Sequence, residues 1–216
     1  MSDSPPGVAD LLGVLAYAEL TAFLRLAEDA ARLAPTLTDR AALGDLAVTE
    51  YAHFRLLSDR LAALGTDPEE AMAPFVGPLD DWHARTAPHD WLEALVKAYV
   101  GTGIALDFYR EAATRVDEDT RRLVDEVLVD GGRSQFAVER VRAAIENDHV
   151  VCGRLALWAR RLVGESLSQG RRVVEARPEL AALLVEAAGE DITRMFGRLT
   201  EAHGERMSAL GLTPGP

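Results

Sequence analysis

Thr49-Glu50-Tyr51-Ala52-His53-Phe54 lies in the middle of a long helical pattern and contains a Glu-x-x-His. Residues three apart on a helix share a face one turn above each other, so the Glu50 carboxylate and the His53 imidazole can reach one point in space. A carboxylate and a neutral imidazole suit iron, manganese or zinc. They equally suit a buried polar pair with no metal, and the neighbouring helices have to decide between the two.

Upstream, Val8 to about Leu33 carries Leu11, Leu12, Leu15, Leu20, Phe23, Leu24 and Leu26 at helical spacings before Pro35 stops it. Thr38-Asp39 is expected to cap the helix that holds the motif, and Gly65 to end it in a left-handed conformation. Ala18-Glu19-Leu20 sets a carboxylate inside an apolar stripe, where a lone charge is costly unless paired or metal-bound. With the turn near Thr36, Glu19 and His53 lie about equally far from it, and antiparallel helices climb at the same ~1.5 Å per residue. Glu19, Glu50 and His53 are therefore expected at one height, as half of a metal site or as a paired polar cluster.

The rest of the chain reads as helix too. Ala, Leu, Glu and Arg dominate and β-branched residues are scattered, so the 216 residues are expected to form one all-α domain over 1–216. Between Gly65 and His89 lie Pro68, Pro74, Gly77, Pro78 and Pro88, with room for little more than single helical turns at Pro68 to Ala73 and around Leu79 to His83. A connection of about twenty-five residues reaches ~80 Å when extended, twice the ~38 Å length of a 25-residue helix. It lets the third helix, capped by Asp90 and ending near Arg115, run parallel to the second. A fourth helix opens at Asp117 or Glu118 and runs to about Asn147, completing a bundle over about 8–148. Two more helices, to Arg177 and from Pro178 to Gly211, form a C-terminal helical hairpin over about 149–211.

Charge and composition narrow the function. A net charge of -12 argues against nonspecific nucleic-acid binding except through a local patch. Cys152 is the single cysteine, so no intramolecular disulfide can form and a reducing compartment is expected. Asp3 stands where an export signal would be basic, and Glu19 interrupts the apolar run that follows; a cytoplasmic protein with no membrane partner is the expectation. Lys97, the one lysine, reads as a skew of genome composition. His203, between Glu201 and Glu205, reads as a surface residue, and His83, His89 and His149 as solvated or capping groups near helix ends. Trp82, Trp91 and Trp158 read as packing aromatics.

The third and fourth helices complete the site less tidily. Asp107, among apolar neighbours in Gly103 to Tyr109, is the best single ligand of the third helix. In the fourth, Asp130-Gly131-Gly132-Arg133 has the Glu-x-x-His spacing with Arg in place of His. Arginine stays protonated and cannot ligate a metal. The heights differ by roughly 6 to 10 Å at the helical rise, and Asp107 comes nearer the level of Glu126.

Ala18-Glu19-Leu20, Glu50-x-x-His53, Asp107-Phe108-Tyr109, Asp130 to Ser134 and Leu155 to Leu162 together resemble the ferritin-like di-iron superfamily over most of the chain. Within it they resemble the bacterial tRNA hydroxylases that act on the prenyl side chain of 2-methylthio-N6-isopentenyladenosine, and their actinobacterial relatives. That resemblance implies a ferritin-like four-helix bundle with one long crossover. It also implies a di-iron centre that activates dioxygen, with Glu19, Glu50, His53, Asp107 and Asp130 as metal ligands and tRNA as partner. Arg160, Arg161, Arg171 and Arg172, in a locally basic stretch, are the candidate RNA contacts. Arg133 offers the competing reading. A guanidinium beside the carboxylates would take the place of the metal charge, leaving a bundle with a single metal or none that serves as a binding or structural protein, with a homodimer through an apolar helix face as the expected assembly.

Overall fold

The computed structural model describes residues 7–112, 116–127, 133–146, 148–188 and 192–214, and only the backbone at 109, 111, 112, 133, 134, 185–188 and 192. Every regular element among the described residues is helical. Two long helices, α1 (Val8–Leu33) and α2 (Leu37–Ala63), form the opening hairpin. The cap of α2 is Thr36, two residues earlier than the sequence suggests. Its hydroxyl accepts from the Asp39 amide at 3.0 Å and donates to the Asp39 carboxylate at 2.7 Å, so Asp39 is the third residue of the first turn and not the cap. Gly65, at φ 79°, ends α2 as expected.

The hairpin is antiparallel. Leu26 and Ala30 pack with Leu43 and Ala47, and the Phe23 and Tyr51 rings meet at 5.0 Å further along. The crossover carries more helix than its prolines suggest: α3 (Pro68–Met72), a 3-10 turn (Ala73–Phe75) and the ten-residue α4 (Val76–Arg85). Pro68 and Pro78 both fall in first turns, where amides have no intrahelical partner, so neither breaks its helix. The segment crosses α1 at Gly13, where an added Cβ would stand 2.2 Å from the Ala71 carbonyl oxygen.

After the crossover, α5 (Trp91–Ala112) lies parallel to α2. Its Trp91 and Ala98 pack beside Leu43 and Ala47 at the start of α2, and Asp117, just past its end, holds Arg60 near the end of α2 at 2.7 Å. The chain then returns through α6 (Glu118–Val127) and α7 (Arg133–Ile145), reaching the Arg140–Asp39 ion pair at 2.9 Å. Gly131 and Gly132, whose pairing suggests a kink, lie outside the described residues.

Helix α8 (His149–Ala176), capped by Asp148, lies along α5. The Trp158 indole donates to the Glu93 carbonyl at 3.0 Å. After α9 (Pro178–Ala188), α10 (Ile192–Ala209) runs back along α5, and its Met207, with Leu210 just past its end, shares a core with Leu95, Val96 and Leu155. The sequence suggests one helix where α9 and α10 are seen, and 189–191 between them lie outside the described residues. No helix among the described residues is long and apolar enough to cross a membrane.

Candidate metal centre

Helical register brings the three expected groups together. Phe23 against Tyr51 and Leu26 against Ala47 fix the hairpin so that Glu19 of α1 faces Glu50 and His53 of α2. Ligand atoms of the three side chains all lie within 4.8 Å of one another. His53 Nδ1 stands 3.4 Å from Glu19 Oε2 and 3.9 Å from Glu50 Oε2. All three residues are buried, Glu50 at 2 % exposure. Two carboxylates converging in a low-dielectric interior need positive charge between or beside them. A divalent cation is one way to supply it, and two carboxylates with one imidazole are a donor set that iron, manganese or zinc accepts. The residues present fit one such ion.

The fourth expected ligand stands elsewhere. Asp107 is not among the three converging groups; its carboxylate is 2.6 Å from the Arg206 guanidinium of α10 and 3.1 Å from Arg110. Gly103 makes this pairing sterically feasible, because a Cβ there would meet Arg206 Cδ at 2.4 Å. Asp130 lies outside the described residues, as does the side chain of Arg133, at whose backbone α7 begins. Glu126 is exposed.

Two cavities meet at Glu50. The first, of about 230 Å³, is lined mainly by apolar side chains of α1, α4, α5, α8 and α10, with Glu19 and Glu50 on its wall. The second, of about 210 Å³, also touches Glu50 and reaches Arg110 and Arg206. Leu26, Ala98, Thr102 and Leu106 border both, so Glu50 sits where a ligand in either space would pass.

Several polar residues of the first cavity are ones that the sequence does not single out as functional. Lys97 is buried at 6 % exposure, and burial pushes its ammonium down to about 8. Burial raises Asp29, at 8 % exposure, to about 6. His83 is neither solvated nor a cap: burial, with Lys97 and Arg25 nearby, lowers it to about 3, and its Nδ1 has no hydrogen-bond partner among the described residues. His203 is likewise a correction. It is buried on α10 with no hydrogen bond at either ring nitrogen among the described residues, and it is lowered to about 4 by burial and by Arg206. The signal for Lys97 is present as Ala94, Lys97 and Gly101, a charge within an apolar stripe like that of Glu19. The candidate RNA contacts sit on α8: Arg161, Arg171 and Arg172 are exposed and Arg160 half-buried.

A helical hairpin, a long crossover, a parallel third helix and an antiparallel return, with Glu, Glu and His meeting inside, define the ferritin-like class of helical bundle. Comparison with known families agrees. The family model of the ferritin-like domain of actinomycetes matches residues 4–187, and the chain belongs to that family. No curated protein matches the sequence.

Proposed function

We propose that the protein is an iron-dependent oxygenase that hydroxylates a small molecule with an apolar body, with Glu19, Glu50 and His53 holding the metal. The observation that carries this reading is the opening of the buried Glu19/Glu50/His53 cluster onto an apolar cavity through its two carboxylates. Glu19 and Glu50 would bind the ion from opposite helices and His53 would fix it from the next turn of α2. Bound there, iron supplies the one-electron and dioxygen chemistry that protein side chains lack. The chain's own part is to place the substrate and keep water away. Val14, Leu79, Ile104 and Phe108 line the approach, and Thr102, bordering both cavities with Glu50, offers a hydroxyl at the junction.

The charge of Asp107 is already balanced by Arg206 and Arg110, so the described residues supply ligands for one ion. A second iron would draw on residues outside them, where Asp130 falls. An RNA substrate would meet the exposed arginines of α8. Arg161 donates to the Arg85 carbonyl at 2.7 Å, Arg171 lies over the Phe196 ring and Arg172 faces Asp81 at 3.6 Å, so the cavity, not the arginine stripe, carries the reading.

Mass-spectrometric metal analysis of protein expressed in iron-replete medium tests it. Iron at one or more per chain, lost in Glu50→Ala, is the expected result. A wild-type protein without bound metal overturns the oxygenase reading and leaves a bundle whose carboxylates are neutralised by a guanidinium.

A further inference from the structure

The first cavity has a second polar end, built around the protein's one lysine. Lys97 is a buried ammonium with three donors, and only one is used, in a 2.8 Å bond to the Thr86 carbonyl. The Trp82 indole covers it at 4.9 Å from the ring centroid, and Gly101 makes room for that indole. No carboxylate stands within ion-pair distance of Lys97 among the described residues. The carboxyl group that attracts Lys97 most strongly is Asp29 of the same cavity wall, which has no hydrogen bond or ion pair of its own among the described residues. Buried charges in proteins are ordinarily paired, and removing an ammonium from water without a counter-ion is costly.

A cation and a carboxyl group therefore face one cavity, too far apart to bond each other. The group that fits between them accepts from the ammonium and shares a proton with the carboxyl. A carboxylate does both: one oxygen takes the free Lys97 donors, and the other shares with Asp29 one proton taken up from solvent on binding, which burial of Asp29 already favours. Around this end the charged groups are Lys97, Arg25 and Arg32 against Asp29 and Glu28, with His83 neutral; Glu28 is taken up by Arg25 at 3.0 Å and Arg32 at 2.9 Å, which leaves Lys97 as the cation with donors to spare for an incoming anion.

The remaining space sets the tail. Thr102, which borders the cavity beside Glu50, lies five residues along α5 from Lys97, a rise of ~7.5 Å. A volume of about 230 Å³ holds roughly eight water-sized heavy atoms at ~30 Å³ each. Both measures suit an aliphatic acid of about six to eight carbons in all, the carboxylate carbon included, with its head at Lys97 and its far end at Glu50 and Glu19.

We propose that Lys97 and Asp29 bind the carboxylate of a medium-chain carboxylic acid whose hydrocarbon tail runs through the cavity to the Glu19/Glu50/His53 cluster. This rests on the reading of that cavity as the substrate site and specifies its substrate class: an amphipathic acid held by the head and presented at the end remote from it. Lys97 and Asp29 are binding groups here, and no bond of the acid is made or broken by them.

Calorimetric titration of the full-length protein with sodium octanoate, octan-1-ol and octylamine, in the presence of a metal chelator, tests the site. Octanoate should bind at least tenfold tighter than octan-1-ol, octylamine should not bind measurably, and Lys97→Met should lose that tenfold preference. Equal affinity for the acid and the alcohol in the wild type overturns the proposal without recourse to any variant. So does an absence of octanoate binding once metal is removed, which would place the carboxylate on the ion and not on Lys97. Chelator-insensitive octanoate binding in a protein that never contains iron would leave this site standing and remove only the oxygenase reading.

Discussion

His203 carries its ring into the core with neither nitrogen bonded among the described residues, while Glu201 and Glu205 on either side point to solvent. Its folded pKa of about 4 lies below the ordinary 6.5, so between those values the unfolded chain takes up more protons than the native one. The native state therefore loses stability as pH falls through that window. Asp29 acts the other way, since its pKa is raised, so the difference between wild type and His203→Leu isolates the histidine. Urea midpoints measured at pH 7 and pH 4.5 should move in favour of His203→Leu at the lower pH; a pH-independent difference would mean the ring is protonated in place. Two flanking acids suggest a solvated face, which is why the local sequence points the wrong way here. Phe196, Leu199, His203, Met207 and Leu210, at spacings of three and four, trace the buried stripe that decides otherwise. The same kind of stripe makes Glu19 legible as a buried charge, and it holds the equivalent signal for Lys97.

Among the elements, punctuation in the sequence decides the long helices. Pro35, Gly65, Asp148 and Pro178 stand at or next to the observed ends of α1, α2, α8 and α9, because each acts through its own backbone or its nearest amides. What the local sequence does not show is the crossover, where Gly77 and Pro78 look like breakers but sit in the first turn of α4. Its path depends on a contact far away in sequence, Gly13 against Ala71, which no local pattern encodes. Gly13→Ala should cost about 1–3 kcal/mol, since the clashing atoms are backbone and cannot rotate away. Gly44, inside α2 with nothing within 4 Å of where an added Cβ would stand, is the matched control. Gly44→Ala should gain about 0.5–1 kcal/mol from reduced unfolded-state entropy. Opposite shifts in the urea midpoint are the expected outcome, and a neutral Gly13→Ala would mean that α3 is free to lift off α1.

For the whole molecule, the converging carboxylates join folding to whatever neutralises them. Glu19 and Glu50 come from different helices of the hairpin, so a cation between them binds the native state and has no comparable site in the unfolded chain. At a free concentration a thousandfold above its dissociation constant such an ion stabilises by about 4 kcal/mol. In a chain of this size each kcal/mol moves the melting midpoint by about 2–4 °C. Chelation of the iron-loaded wild type should therefore lower the midpoint by roughly 10 °C, while Glu50→Ala should melt at one temperature with or without chelator. A wild-type midpoint indifferent to chelation, in protein that contains no iron, would give the compensating charge to a side chain. Arg133→Ala would then be the variant that destabilises the bundle, because it would leave two buried carboxylates facing each other without a cation.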